Sequence, residues 1–324
     1  MRRSTAFIVA VLFHVGVVAQ SKEMSTPARE YLTKALDLIQ QNGLYRGRVE
    51  WEDVRARAFA EAIRAQTPAD TYVGIRLALA ALGDRHSTFQ TPDSVATMNQ
   101  RAAASPPSGS MVDGRLAHVV VPHFLNTERS VIAGYATTLQ NVVRSLDSST
   151  TCGWIIDLRQ NDGGNMWPML AGLGPLLSEG AIGSFTDGNG NSATWFSENG
   201  AARLGRNELV RVAGTPYRLR NPNPPIAVLT SARTISSGEA VAIAFRGNPN
   251  TRSFGQRTQG LSTANGTFKL SDGAAIVLTQ AIDADRSGKV YEDGVSPDVV
   301  TEASEAGLPA AARQWLLGQP ACRP

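Results

Sequence analysis

Residues 226–245 read IAVLTSARTISSGEAVAIAF, and this stretch decides the fold class. Ile226 to Leu229 is a short, wholly apolar run of the kind that forms a strand buried on both faces. Ala240 to Phe245 is small and apolar, suited to a buried helix. The polar segment Thr234-Ile235-Ser236-Ser237-Gly238-Glu239 lies between them, so the chain passes from strand to helix through a junction rich in hydroxyls.

Upstream, the same alternation repeats. Leu116 to Pro122 is a strand candidate, Val131 to Leu146 a helix, Trp154 to Leu158 an apolar strand and Trp167 to Leu177 a helix. Strands and helices in alternation predict an α/β core with a largely buried sheet over residues 114–324. Residues 182–196 carry Asp187-Gly188-Asn189-Gly190 at their middle, a hairpin signal expected to form an inserted flap outside that core.

Before the core, residues 20–83 hold three amphipathic helical patterns and read as a small helical bundle. In the first, Thr26 and Pro27 precede Leu32, Leu36 and Ile39, and Asn42-Gly43 closes it. The second carries Trp51, Val54, Phe59 and Ile63, and the third Tyr72, Ile75, Leu79 and Leu82. Residues 84–113 continue as a histidine-bearing segment and a linker rich in Ala, Ser, Pro and Gly.

The first segment reads as an export signal, with a retained anchor helix as the alternative: Met1-Arg2-Arg3, an apolar run from Ala6 to Ala19, and a small-residue site with cleavage expected after Ala19. That run is short for a bilayer span and contains His14, and no later stretch is apolar enough to cross a membrane. An exported, periplasmic or extracellular protein is therefore expected, without a lipid-anchor cysteine near the cleavage site. The chain has 324 residues, 42% hydrophobic and 18% charged, enough for a full core. Of its net charge of +3, two units belong to Arg2 and Arg3, so charge gives no argument for a nucleic-acid partner. Cys152 and Cys322 are the only cysteines. They form either one bridge, permitted by export, or two buried thiols.

Three histidines follow the signal, His86, His118 and His123, too scattered for a zinc site of the usual kinds. Asp283, Asp285, Ser287 and Gly288 imitate the start of a calcium loop, but Gly294 stands where the closing bidentate glutamate belongs. No phosphate-binding glycine pattern is present. Neither cofactor nor metal is expected. What remains suits acyl transfer. A serine at a strand-to-helix junction has its hydroxyl exposed beside the unpaired N–H groups of a helix start, although serines there also serve as plain caps. It needs a base such as histidine.

Together, four segments resemble one family in the family's own order: GDRHSTFQTP (83–92), IIDLRQNDGG (155–164), TISSGEAVA (234–242) and EDGVSPDVV (292–300). They resemble serine peptidases of the C-terminal-processing, tricorn and interphotoreceptor retinoid-binding-protein group. The resemblance implies a ClpP/crotonase-like α/β (α+β) core. It selects Ser236 as nucleophile, with the oxyanion held by the N–H of Ser237 and of Gly163 or Gly164.

Bacterial C-terminal-processing enzymes use a lysine 25 residues after the serine; Leu261 stands there. The resemblance to the Ser-His-Glu branch instead makes His86 the base and Glu292 the third member, with Asp293 as rival. Asp298 reads as closing the fold and Glu239 as structural. About thirty residues separate His86 from Leu116, too few for the PDZ domain many members carry. The expected partner is a peptide or protein bound in extended form. A silent ligand- or lipid-binding protein and an esterase are the alternatives on the same scaffold. Oligomeric state is left open.

Overall fold

The computed structural model describes residues 23–100, 105–302 and 307–323; the expected export signal, 1–19, lies outside them. Three helices come first: α1 (Thr26–Asn42), α2 (Trp51–Glu61) and α3 (Tyr72–Ala81). Ser25 Oγ accepts the Ala28 N–H at the start of α1, and the Gly43 N–H donates to the Ile39 carbonyl at its end. Leu32, Leu36 and Ile39 are fully buried against Ile75 and Leu79 of α3. Ile63, expected on the buried face of the second helix, is 62% exposed because α2 stops at Glu61.

The stretch read as a linker carries regular structure. After β1 (Thr88–Gln90) come α4 (Pro92–Gln100) and β2 (Ser108–Val112), which pairs antiparallel with β3 (Leu116–Val120). No hydrophobic period marks β2, because the following helix, α5 (Arg129–Leu146), packs on its bare backbone. A Cβ at Gly109 would lie 2.6 Å from Leu146 Cδ1.

The chain continues through β4 (Gly153–Asp157), α6 (Met166–Gly172), β5 (Gly180–Asp187), β6 (Ser192–Glu198), β7 (Ala201–Leu204) and β8 (Asn207–Arg211). Then come β9 (Ile226–Thr230), α7 (Ser237–Ala244), β10 (Thr251–Gly255), β11 (Thr263–Lys269), β12 (Ala275–Ala284), β13 (Val299–Val300) and α8 (Ala310–Leu317). One sheet has the order β13-β10-β9-β4-β3-β2 and is parallel except at β2. The other is antiparallel, in the order β1-β12-β5-β6-β7-β8, with β11 added on β12.

Every residue of β4 and β9 is buried, which is why both read as unbroken apolar runs. Trp154, Ile156, Ile226 and Val228 join the main core beneath α5, α6 and α7. Ile155, Ala227 and Leu229 face the other way, against Leu316 of α8 and Cys322. Cys152 and Cys322 are bridged, S–S 2.05 Å, so the two-thiol alternative gives way to a tether between the C-terminal segment and the sheet.

The hairpin expected as a flap is β5–β6, and its base belongs to the main core. Ile182 and Trp195 are fully buried there. Gly183 makes the room: a Cβ at that position would meet the Trp195 ring at 2.5 Å. The helical segment is likewise packed onto a sheet, since its apolar cluster includes Phe89 of β1 and Ile276 and Leu278 of β12. This seats the histidine segment, between α3 and β1, beside the β11–β12 ladder. Among the described residues no helix is long and apolar enough to cross a membrane.

Candidate active site

The turn from β9 into α7 is tied to the end of β4. Thr234 Oγ1 donates to the Leu158 carbonyl at 2.9 Å, Ser231 Oγ to the Arg159 carbonyl at 2.7 Å, and the Ile235 N–H to the Asn161 carbonyl at 2.9 Å. Ser236 then caps α7 with φ +52° and ψ −112°, a conformation that ordinarily favours glycine. Such a backbone costs on the order of 1–3 kcal/mol and persists where its surroundings hold it.

Glu239 does that holding. Its fully buried carboxylate accepts the Ser236 N–H (2.8 Å), the Gly260 and Leu261 N–H groups (2.8 Å each) and the Thr258 hydroxyl (2.5 Å). One side chain thus fixes the turn and locks the loop before β11 against it. This is the structural role read for Glu239 from the sequence, now with its physical cause.

The Gly-Gly pair lies alongside. A Cβ at Gly163 (φ +113°) would sit 3.2 Å from Ser236 Cβ, and one at Gly164 (φ +105°) would strike the Phe124 carbonyl at 2.0 Å, so both positions demand glycine. Their N–H groups differ. That of Gly163 donates to Asn161 Oδ1 at 3.1 Å, whereas that of Gly164 has no partner among the described residues. Ser237 Oγ donates to the Gly164 carbonyl at 2.5 Å, drawing the helix start and the glycine turn together.

Ser236, Ser237 and Gly164 share the wall of a cavity of about 1040 Å³. Met166, Trp167, Phe185, Leu204 and Ala240 make much of that wall apolar, and one side is formed by β11.

His86 opens onto a smaller recess of about 150 Å³, which it shares with Thr263, Glu292 and Asp293; Thr263 lines both spaces. Asp84 builds the turn that presents the histidine by accepting the His86 and Ser87 N–H groups at 2.9 and 2.6 Å. Among the described residues the His86 ring makes one hydrogen bond, Nδ1 to Thr263 Oγ1 at 2.6 Å. Burial pushes its pKa below the ordinary 6.5, against the opposing pull of Glu239 and Asp84.

Glu292 is not bonded to that ring. Its Oε1 accepts the Tyr45 hydroxyl at 2.9 Å, and Arg48 lies 3.9 Å away. Asp298, read as closing the fold, accepts the N–H and the hydroxyl of Ser253 at 2.7 and 2.8 Å. His118 and His123 stand elsewhere, on Asp157 and Asp162. Thr263 was missed in the sequence although it stands two residues beyond Leu261, because a threonine in a strand carries no mark of facing a histidine 177 residues away. Among the described residues no group of three or more His, Cys, Asp or Glu is placed to hold a metal ion.

Comparison with known proteins bears on this arrangement. The family model of peptidase family S41 matches residues 115–301, over half of the chain, a span that includes Gly163, Gly164 and Ser236. The chain belongs to peptidase family S41. The S41 chain is 28% identical over 299 residues to the nisin-resistance protein of Lactococcus lactis, covering 90% of this chain and 87% of that one. It is 27% identical over 163 residues to a carboxyl-terminal-processing protease of Synechocystis, covering 50% of this chain and 34% of the other.

Among solved structures, a lipoprotein from Streptococcus agalactiae superposes with a TM-score of 0.76 at 28% identity, over 90% of this chain and 97% of its own. The photosystem II D1 C-terminal processing protease superposes with a TM-score of 0.62 at 16% identity, over 92% and 99%, and shares the fold. This S41 protein is accordingly a serine-type peptidase with an α/β fold, and its substrate is protein or peptide.

Proposed function

We propose that this peptidase is exported and cleaves extended peptides at Ser236. The observation that carries the reading is Ser236 itself, held at positive φ at the head of α7, on a cavity wall beside the unbonded N–H of Gly164. In the reaction Ser236 Oγ adds to the peptide carbonyl carbon while His86 Nε2 takes its proton. The N–H groups of Ser237 and Gly164 receive the oxyanion, and His86 returns the proton to the departing amine. Water then hydrolyses the acyl-enzyme by the same steps. Gly164 is preferred to Gly163 because the N–H of Gly163 is already spent on Asn161.

With Thr263 Oγ1 accepting from Nδ1–H, the Nε2 lone pair is left for the serine proton. Glu292, on the wall of the same recess, is the acid proposed to stabilise the imidazolium, with Asp293 beside it as the rival. The substrate would lie along β11, which among the described residues pairs with β12 alone and whose Thr263, Ala264, Asn265 and Thr267 line the cavity. The Cys152–Cys322 bridge supports export, since such bonds persist in oxidising compartments.

The test is to incubate the mature chain with a fluorophosphonate probe and a diverse peptide library. Labelling and cleavage are expected, and both should vanish in Ser236→Ala. Labelling that persists unchanged in that variant would remove Ser236 as nucleophile.

A further inference from the structure

The large cavity contains an acidic side chain that the proposed reaction does not use. Asp283 lies inside the sheet, on β12, in register with Phe185 of β5, and is 2% exposed. Its backbone is fully engaged. The N–H donates to the Ser262 carbonyl and the carbonyl accepts the Tyr291 N–H, each at 3.0 Å. The side chain is not engaged: Oδ1 is buried without a hydrogen-bond partner, and among the described residues no cation pairs with the carboxyl. Asp285, two residues on, provides the contrast. It accepts from the Ser287 N–H and hydroxyl, the Lys289 N–H and the Tyr291 hydroxyl, and is a saturated turn residue.

Buried unpartnered carboxyls are costly and uncommon, and this one borders the cavity that holds Ser236. The chain of contacts from Asp283 through Ser262 and Leu261 to Glu239 and Ser236 places it at the reactive end of that space. The cation on the cavity wall cannot serve it. Lys269 pairs with Ala275, eight residues along β12 from Asp283, or about 26 Å at the rise of a strand.

We propose that Asp283 lines the pocket for the side chain next to the scissile bond and selects lysine or arginine there. The proposal rests on the peptidase reading of the same cavity. A neutral polar side chain would offer one ordinary hydrogen bond, and an apolar one would leave Oδ1 as bare as before. An ammonium or guanidinium supplies both charge and donors in a poorly solvated site, where such a pair is strongest. Burial, reinforced by Glu239, also pushes the Asp283 carboxyl well above the usual carboxylate range.

The test reads binding without turnover. The full mature chain carrying Ser236→Ala is titrated by calorimetry with two capped, alanine-rich peptides, one holding a single lysine and the other norleucine in its place. The lysine peptide should bind at least about tenfold more tightly, and Asp283→Asn in the same background should bring the two within about twofold of each other. Equal affinities with Asp283 present, binding of neither peptide, or a lysine preference that survives Asp283→Asn would overturn the assignment. Thermal unfolding checks that Asp283→Asn folds. If it does not, equal affinities of the two peptides, or binding of neither, on the Asp283 protein would still overturn the assignment. Failure of the peptidase reading looks different: no Ser236-dependent labelling or cleavage, with the lysine preference intact.

Discussion

His86 carries the pH dependence of the proposed reaction, and its neighbours set the sign. A base must be neutral to accept the serine proton, and burial holds this imidazole neutral below its ordinary pKa of 6.5. Activity should therefore persist as the pH falls through 6.5, and the acid limb of kcat/KM should lie below that value. Orientation of the ring is a separate matter, and Thr263 is the group bonded to it. Thr263→Val removes the acceptor for Nδ1–H and frees the ring to take the wrong tautomer. A loss of at least about tenfold in kcat/KM is expected, part of the 10²–10⁴ that a positioned base supplies. Glu292→Gln, which leaves the Thr263 bond in place, should cost less. A profile whose acid limb lies above pH 6.5, or a Glu292→Gln loss exceeding that of Thr263→Val, would transfer the orienting role to Glu292.

At the scale of elements, the β11–β12 ladder does the most to assemble the site. It supplies the cavity wall, brings Thr263 to His86 and carries Asp283. The turn between the strands is pinned to the helical segment by Asp272, whose carboxylate accepts the hydroxyls of Tyr31 on α1 (2.7 Å) and Tyr72 on α3 (2.6 Å). Burial and that carboxylate push the Tyr72 hydroxyl up to about 12, so it stays a donor throughout the working range. Asp272→Ala leaves two partly buried hydroxyls without their acceptor, a cost of about 1–3 kcal/mol. Leu270 and Gly273 of this turn also line the cavity, far along the strand from Ser236. The variant should therefore lower the unfolding temperature and raise KM for long peptides, with kcat little changed. A fall in kcat at constant KM would show that the turn reaches the chemistry.

At the scale of the whole molecule, the parts legible in the sequence are those whose causes are local. The apolar runs of β4 and β9, the hydroxyl-rich junction at Ser236 and the paired glycines each declare themselves within a few residues. Less legible are parts made by packing between distant segments. β2 lacks a hydrophobic period because α5 rests on its backbone, and Thr263 and Asp283 acquire their surroundings only once β11 lies on β12.

The cysteines illustrate the same limit, since no local feature joins Cys152 to Cys322 across 170 residues. That length gives the bridge its expected effect. Tying α8 and the segment after it to the parallel sheet removes a long loop's freedom from the unfolded chain, and bridges of this kind contribute about 2–5 kcal/mol. The bridge lies on the face of β4 opposite the main core, in the cluster of Ile155, Ala227 and Leu316, away from the cavity wall. Cys322→Ser should accordingly lower the unfolding free energy read from urea denaturation by an amount within that range, with the midpoint moving to lower urea, while kcat/KM under folded conditions stays within about twofold, as for a substitution remote from the reacting groups. An unchanged midpoint would mean that α8 packing alone holds the C-terminal segment. A large loss of activity in the folded variant would mean that the sheet transmits strain from this face to the turn at Ser236.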